Sequence, residues 1–167
     1  MENKVYLTFD DGPTPEITEW VLEELKKHQA KATFFCIGKN IKNHPAIFSK
    51  VIDEGHSIGN HTYNHLKGWN TSTAEYLDNI TLCESEINNL TCFASSPSLG
   101  SAICNLNSPL FRPPYGKIKK LQSEKLRKLG YKIIMWDIIS YDFDATISPE
   151  ECISNVIKNA KSGSIIV

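Results

Sequence analysis

Three short stretches of the sequence concentrate residue types that do chemistry. The first is Thr8-Phe9-Asp10-Asp11-Gly12-Pro13, where two adjacent carboxylates precede a Gly-Pro pair. Two neighbouring negative charges are costly to hold together unless a cation, metal or arginine, lies beside them. A solvated turn is the alternative, since Asp-Gly is a common turn pair. The second stretch is His61-Thr62-Tyr63-Asn64-His65. Imidazoles at this spacing converge on one metal when the segment is helical or turned; otherwise they are ordinary surface or core histidines. With Asp11 they make two histidines and one carboxylate, a set that leaves positions free for water and substrate. Such a set suits zinc, and also cobalt, nickel or iron(II). His28, His44 and His56 lack a companion of this kind. The third stretch is Arg112-Pro113-Pro114-Tyr115-Gly116. Its two prolines fix the backbone and present Arg112 and Tyr115 at a set separation. An arginine beside Asp10 would keep that carboxylate ionised and oriented; a stiff loop with a surface arginine is the plainer reading.

The elements that must position these groups are legible as an alternation of strands and helices. Residues 5–9, 32–37, 56–60 and 131–136 read as strands rich in β-branched and aromatic side chains. Thr14-Pro15 reads as an N-cap with proline at the first helical position. Ile17, Val21, Leu22 and Leu25 then keep one apolar face. Ile47, Phe48, Val51 and Ile52 mark a short helix closed by Gly55, and Ser72 with Glu75 has the form of a capping box. Leu121, Leu126 and Leu129 mark another helix. Ser148-Pro149-Glu150-Glu151 opens a last one, whose apolar stripe is Ile153, Val156, Ile157 and Ala160. Residues 91–108 show no period and read as an irregular loop insert. The alternation predicts an α/β architecture with a mainly parallel sheet, open or rolled into a barrel, and active residues at the C-terminal ends of strands. The polar groups follow the apolar runs accordingly. Ser164-Ile165-Ile166-Val167 begins one more strand that would leave the sheet unfinished and its edge open, which predicts a domain truncated at its C-terminus.

Bulk properties exclude several classes. A chain of 167 residues, 41% hydrophobic and 22% charged, is long enough for one globular domain. A formal charge of −1 gives no electrostatic reason to expect a nucleic-acid partner. No apolar run approaches the roughly 20 residues of a membrane span, and no signal peptide precedes the first strand, so the chain as written reads as cytoplasmic. The five cysteines show no metal-binding spacing. A Cys92–Cys104 bridge would require an oxidising compartment.

In this order, the strings TFDDGP, H-T-x-x-H and R-P-P-Y-G resemble the motif series of the polysaccharide deacetylases (carbohydrate esterase family 4, the NodB-homology domain). These are metal-dependent hydrolases that remove acetyl groups from N-acetylated sugars, and the resemblance covers residues 5–167. It implies one catalytic domain over residues 1–167, a distorted (β/α) barrel incomplete at its C-terminal strand. It also implies roles: Asp10 as general base, Asp11, His61 and His65 as metal ligands, and Arg112 as the group that holds the base. Tyr115 would line the groove and offer its N–H to the oxyanion, with Pro114, Trp136 and Asp142 also on the substrate side. The implied cofactor is a divalent metal, zinc by default, with cobalt or nickel as alternatives. The implied partner is an N-acetylated glycan, deacetylated at N-acetylglucosamine in peptidoglycan or a chitin-like polymer.

Three departures qualify the match. The family's general-acid histidine, in a Leu-x-His motif on the final strand, has no counterpart, since no histidine follows His65. In the stretch from Trp136 to Phe143, Ile139 replaces an aspartate that usually tunes that histidine, and Phe143 replaces a tryptophan; Asp142 matches, and Asp137 is a candidate to compensate. The insert at 91–108 is longer than usual. Two other readings follow, a degenerate non-catalytic metal- or glycan-binding relative, and a hydrolase for a small N-acetyl or imide substrate.

Overall fold

The structure, a computed structural model, describes residues 4–91 and 109–167. The Cys92–Cys104 pairing and, apart from Thr91, the insert at 91–108 lie outside the described residues. Among the described residues there are six strands: β1 (Tyr6–Asp10), β2 (Ala32–Cys36), β3 (Ser57–Asn60), β4 (Leu110–Phe111), β5 (Lys132–Ile133) and β6 (Ile165–Ile166). They form one sheet in the order β5-β4-β3-β2-β1-β6, and every pairing is parallel. The helices are α1 (Ile17–Lys27), α2 (Gly38–Asn43), α3 (Pro45–Asp53), α4 (Thr73–Thr91), α5 (Lys120–Lys128) and α6 (Pro149–Asn159).

The sheet curls into an incomplete barrel. The chain leaving β5 crosses towards the far edge, where Ile138 bridges Ile166. The N–H groups of Asp137 and Ile138 donate to the Ile165 carbonyl at 2.9 and 3.1 Å, and Val167 N–H donates to Ile138 at 3.0 Å. β6 therefore has a hydrogen-bonded neighbour on each side, β1 and this crossing segment. The open edge expected for 164–167 is covered.

Alternation on β2 shows how the core is divided. Ala32, Phe34 and Cys36 face outward into a cluster with Leu22, Leu25, Phe48 and Ile52 from α1 and α3. Burying side chains of this size stabilises the fold by about 1.5–3 kcal/mol each. Phe35 points the other way, into the curl. A second cluster, Tyr76, Ile80, Phe111, Leu126 and Tyr131, packs α4 and α5 against β4.

Some local expectations give way to tertiary constraints. α1 begins at Ile17 rather than after Thr14, because Glu16 takes a left-handed φ of 65° that the first helical turn does not allow. Pro15 lies in the preceding turn, whose Thr14 N–H donates to Thr18 Oγ1 at 2.9 Å. β5 is only Lys132–Ile133, since beyond it the backbone bends towards β6. α6 forms with its capping box intact, yet its stripe is not buried: Ile153 is 58% and Ile157 70% exposed. Among the described residues no helix is long and apolar enough to cross a membrane.

Candidate metal centre and active site

The chemistry-bearing groups gather at the C-terminal ends of the strands. On β1, Thr8 and Asp10 are two residues apart and share one face. Directly after β4, Arg112 is buried between these groups and an aromatic wall, with its guanidinium carbon 4.2 Å from the Phe35 ring centroid and 5.6 Å from that of Trp136. Its Nη1 donates to Asp10 Oδ1 at 2.8 Å and to Thr8 Oγ1 at 2.7 Å, while Nε and Nη2 donate to the carbonyls of Ile134 and Met135 at 3.2 and 3.3 Å. Thr8 in turn donates its hydroxyl proton to the Ile166 carbonyl at 2.7 Å. A buried arginine is tolerated when its donors are satisfied and its charge is paired, and both conditions hold here.

The histidines come from β3 and the turn beyond it. His61 follows Asn60, the last residue of β3, and His65 follows a bend in which Thr62 and His65 have φ values of 64° and 55°. Three bonds fix that turn. Asn60 Oδ1 accepts from Thr62 N–H at 2.9 Å, and Asn79 Oδ1 accepts from the N–H groups of Tyr63 and Asn64 at 2.8 and 2.9 Å. The segment is turned rather than helical, and the result is convergence. His65 Nε2 lies 3.1 Å and His61 Nε2 3.4 Å from Asp11 Oδ1. Asp11 and Tyr115 are left-handed as well, at φ 68° and 58°. Non-glycine residues in this region cost of order 1–3 kcal/mol each and concentrate where function requires them.

Protonation follows from the contacts. His61 Nδ1 lies 2.8 Å from the Arg112 carbonyl. A carbonyl only accepts, so a proton sits on Nδ1, and Nε2 is the nitrogen that faces Asp11. Burial would raise the pKa of Asp11, but hydrogen bonds from His61 and His65 outweigh it and hold the carboxyl well below the usual range. Burial raises Asp10 above its ordinary value, against the opposing pull of His61 and Arg112. Two adjacent aspartates are thus driven apart, one below the ordinary carboxyl value and the other above it.

Asp11, His61 and His65 offer ligand atoms that all lie within 4.8 Å of one another. Zinc bonds of 2.0–2.2 Å at tetrahedral angles imply ligand atoms roughly 3.3 Å apart, close to the two spacings seen here. One carboxylate and two neutral imidazoles also suit cobalt or nickel. The donor set fits a divalent metal.

Of the other expected residues, Tyr115 reaches the centre, its ring 4.6 Å from that of His65. Trp136 and Asp142 line the same cleft, of about 780 Å³, together with Ile139 and Phe143. Asp142 touches neither Asp10 nor the histidines; it accepts from Ser140 Oγ at 3.1 Å. Asp137 is turned away, with Oδ2 accepting from Ile165 N–H at 2.8 Å. Pro114 is buried and does not line the cleft. Sequence reading passed over Thr8, Asn60 and Asn79, which hold Arg112 and the histidine turn. The signals were present for two of them: Thr8 is two residues from Asp10 on a strand, and Asn60 directly precedes His61.

Comparison with known proteins agrees with this geometry. The sequence profile of the family described as polysaccharide deacetylase matches residues 1–134. The chain is 35% identical over 164 residues to a peptidoglycan-N-acetylglucosamine deacetylase of Bacillus cereus, covering 98% of this chain and 54% of the relative. It is 32% identical over 169 residues to a chitooligosaccharide deacetylase of Azorhizobium caulinodans, covering 99% of this chain and 73% of the relative. The crystal structure of a peptidoglycan N-acetylglucosamine deacetylase superposes with a TM-score of 0.86 at 34% identity, over 99% of this chain and 71% of that one. The chain therefore spans between about half and three quarters of the length of these relatives.

Proposed function

This chain belongs to the polysaccharide deacetylase family, and from that premise we propose that it hydrolyses the acetamide of N-acetylglucosamine units in a peptidoglycan or chitin-like polymer. One observation carries the reading. A buried arginine holds one carboxylate, Asp10, beside a two-histidine, one-aspartate centre. Asp11, His61 and His65 would hold zinc, cobalt or nickel, which when bound lowers the pKa of a coordinated water towards about 7 and polarises the acetyl carbonyl.

The chain's own residues supply the rest. Asp10 accepts the proton of the attacking water, and Arg112 fixes the carboxylate so that its other oxygen is free to do so. The opposite oxygen, Oδ2, is the one nearer His61 Nε2, at 4.0 Å. The carbonyl oxygen gains negative charge as the carbon becomes tetrahedral, and a fixed N–H donor stabilises it. Tyr115 N–H suits that role, because no hydrogen bond among the described residues takes it up and the 114–116 turn holds it rigidly. Trp136 closes the wall beside the turn. A Cβ at Gly116 would lie 2.9 Å from the Trp136 ring, so only glycine lets turn and wall meet.

The departing amine needs a proton, and among the described residues the cleft is lined by no imidazole besides His61 and His65. The test is acetate release from chitooligosaccharides with zinc or cobalt, for this chain and for one continued through a Leu-x-His segment. Metal-dependent release that Asp10→Asn abolishes, and that the longer chain increases, supports the proposal. Equal release from both chains would overturn this account of the proton donor. Ile139 and Phe143 on the cleft wall, where the family has aspartate and tryptophan, favour a second reading of metal-dependent glycan binding without turnover. Zinc and glycan binding with no acetate from the longer chain would establish it.

A further inference from the structure

We propose that Trp69, flanked by Lys67 and Lys117, forms a glycan subsite beside the metal centre, and that it selects polymers whose sugars carry carboxylates. The proposal rests on the deacetylase reading and names the kind of glycan. Two segments leave the centre side by side. One runs from His65 through Lys67 to Trp69; the other runs from Tyr115 to Lys117. Where they start, the His65 and Tyr115 rings are 4.6 Å apart.

Beyond that point the segments are locked together. Gly68 N–H donates to the Lys117 carbonyl at 3.0 Å, and Trp69 Nε1 donates to the Ile118 carbonyl at 3.2 Å. The fully buried Gln122 donates from Nε2 to the carbonyls of Gly68 and Thr71 at 3.0 and 3.3 Å. The approach is so close that a Cβ at Gly68 would lie 2.5 Å from the Lys117 oxygen. A tryptophan fixed in this way cannot fold back to hide its ring. Trp69 is 55% exposed, and Tyr115, nearer the metal ligands, is 59% exposed.

Each segment sets a lysine against the other's aromatic ring. Lys67 Nζ is 5.9 Å from the Tyr115 centroid, and Lys117 Nζ is 4.4 Å from that of Trp69. No ion pair among the described residues engages either lysine. Their positive charge remains available to a ligand. A rigid exposed ring packs against the C–H face of a pyranose through dispersion and apolar burial. A neutral sugar accounts for the ring but leaves two unpaired ammonium groups without a purpose. A sugar bearing a carboxylate accounts for both.

The test is calorimetric binding to the zinc-loaded protein, which needs no turnover. Two oligosaccharides of equal length serve as probes, a neutral N-acetylglucosamine tetramer and one alternating with N-acetylmuramic acid. The acidic glycan should bind more tightly, and only its binding should weaken as salt screens the charges. Lys67→Gln combined with Lys117→Gln should lower its affinity about fivefold, as expected for two exposed pairs, and leave the neutral tetramer unchanged. Trp69→Ala should weaken both about tenfold, and Trp69→Phe should restore most of the loss, which separates lost stacking from a collapsed turn. Equal binding of the two glycans, lysine variants without effect, or no binding by the wild type would overturn the proposal. Binding as described without acetate release would leave the subsite standing and count against the hydrolytic reading.

Discussion

His61 Nδ1 lies 2.8 Å from the backbone carbonyl of Arg112, and the side chain of that same arginine holds Asp10 at 2.8 Å. One residue thus sets the tautomer of a proposed metal ligand with its backbone and the orientation of the proposed base with its side chain. Its own position is fixed by β4, since Arg112 N–H donates to the Asn60 carbonyl at 3.0 Å, one residue before His61. Ligand and base are parts of one rigid unit, and perturbing Arg112 should disturb both.

Metal binding and proton transfer separate by substitution. His65→Ala removes a ligand and should lower zinc affinity by more than the 10–100-fold typical of losing an outer-shell partner, as read by calorimetric titration. Asp10→Asn should leave zinc binding within a few-fold of wild type and lower acetate release by about 10²–10⁴-fold. Equal loss of zinc binding in both variants would contradict the roles given to His65 and Asp10.

The pH profile tests the role of Asp10. Asp10 must be ionised to accept a proton, so turnover should fall as pH drops through its pKa, which burial raises and Arg112 lowers. Arg112 lowers that pKa, so Arg112→Gln should move the acidic limb to higher pH besides reducing the rate. In metal-free protein the stability effects have opposite signs. Folded Asp10 holds its proton more tightly than the unfolded chain does, so its contribution declines as pH rises through the raised pKa. Asp11 is depressed, so its contribution is present above the ordinary aspartate value and disappears as pH falls towards the folded one. Urea melts should show the Asp11 effect below about pH 4 and the Asp10 effect above it, limits taken from reference carboxyl values.

Gly59→Ala tests the packing beneath the site. A Cβ there would lie 2.3 Å from the Phe35 ring, on which Arg112 stacks. Overpacking of this kind costs about 1–3 kcal/mol, measurable by denaturant unfolding. A second substitution, Phe35→Leu, should recover part of the loss, because the two sites share the same space.

Gln122→Ala tests the clamp that fixes the Trp69 turn. Its side chain accepts from Lys119 N–H at 2.8 Å and donates to Gly68 and Thr71. Removing it leaves the Lys119 N–H without its acceptor and takes one of two donors from each carbonyl, since Thr71 N–H still reaches Gly68 and Lys119 Nζ still reaches Thr71, at about 1–3 kcal/mol. Thermal unfolding should detect this loss, with little change in zinc affinity.

The sequence by itself determined the strand-helix alternation, the three motif strings and the residue types of the candidate metal centre. These were legible because each depends on neighbours a few positions away: the apolar faces of β1 to β3 and α1, the Ser148–Glu151 capping box, the prolines around Arg112. Only the tertiary structure decided what lies outside that window. β4 is two residues long and leaves no periodic pattern, yet it carries Arg112 to Asp10 across 102 positions. Thr14-Pro15 looks like a helix start, but the left-handed Glu16 delays the helix to Ile17. The α6 stripe looks like a buried face, and Ile153 and Ile157 remain exposed. Local propensity is a property of a few consecutive residues, whereas a hydrogen bond or a packed ring belongs to two segments whose meeting depends on every element between them.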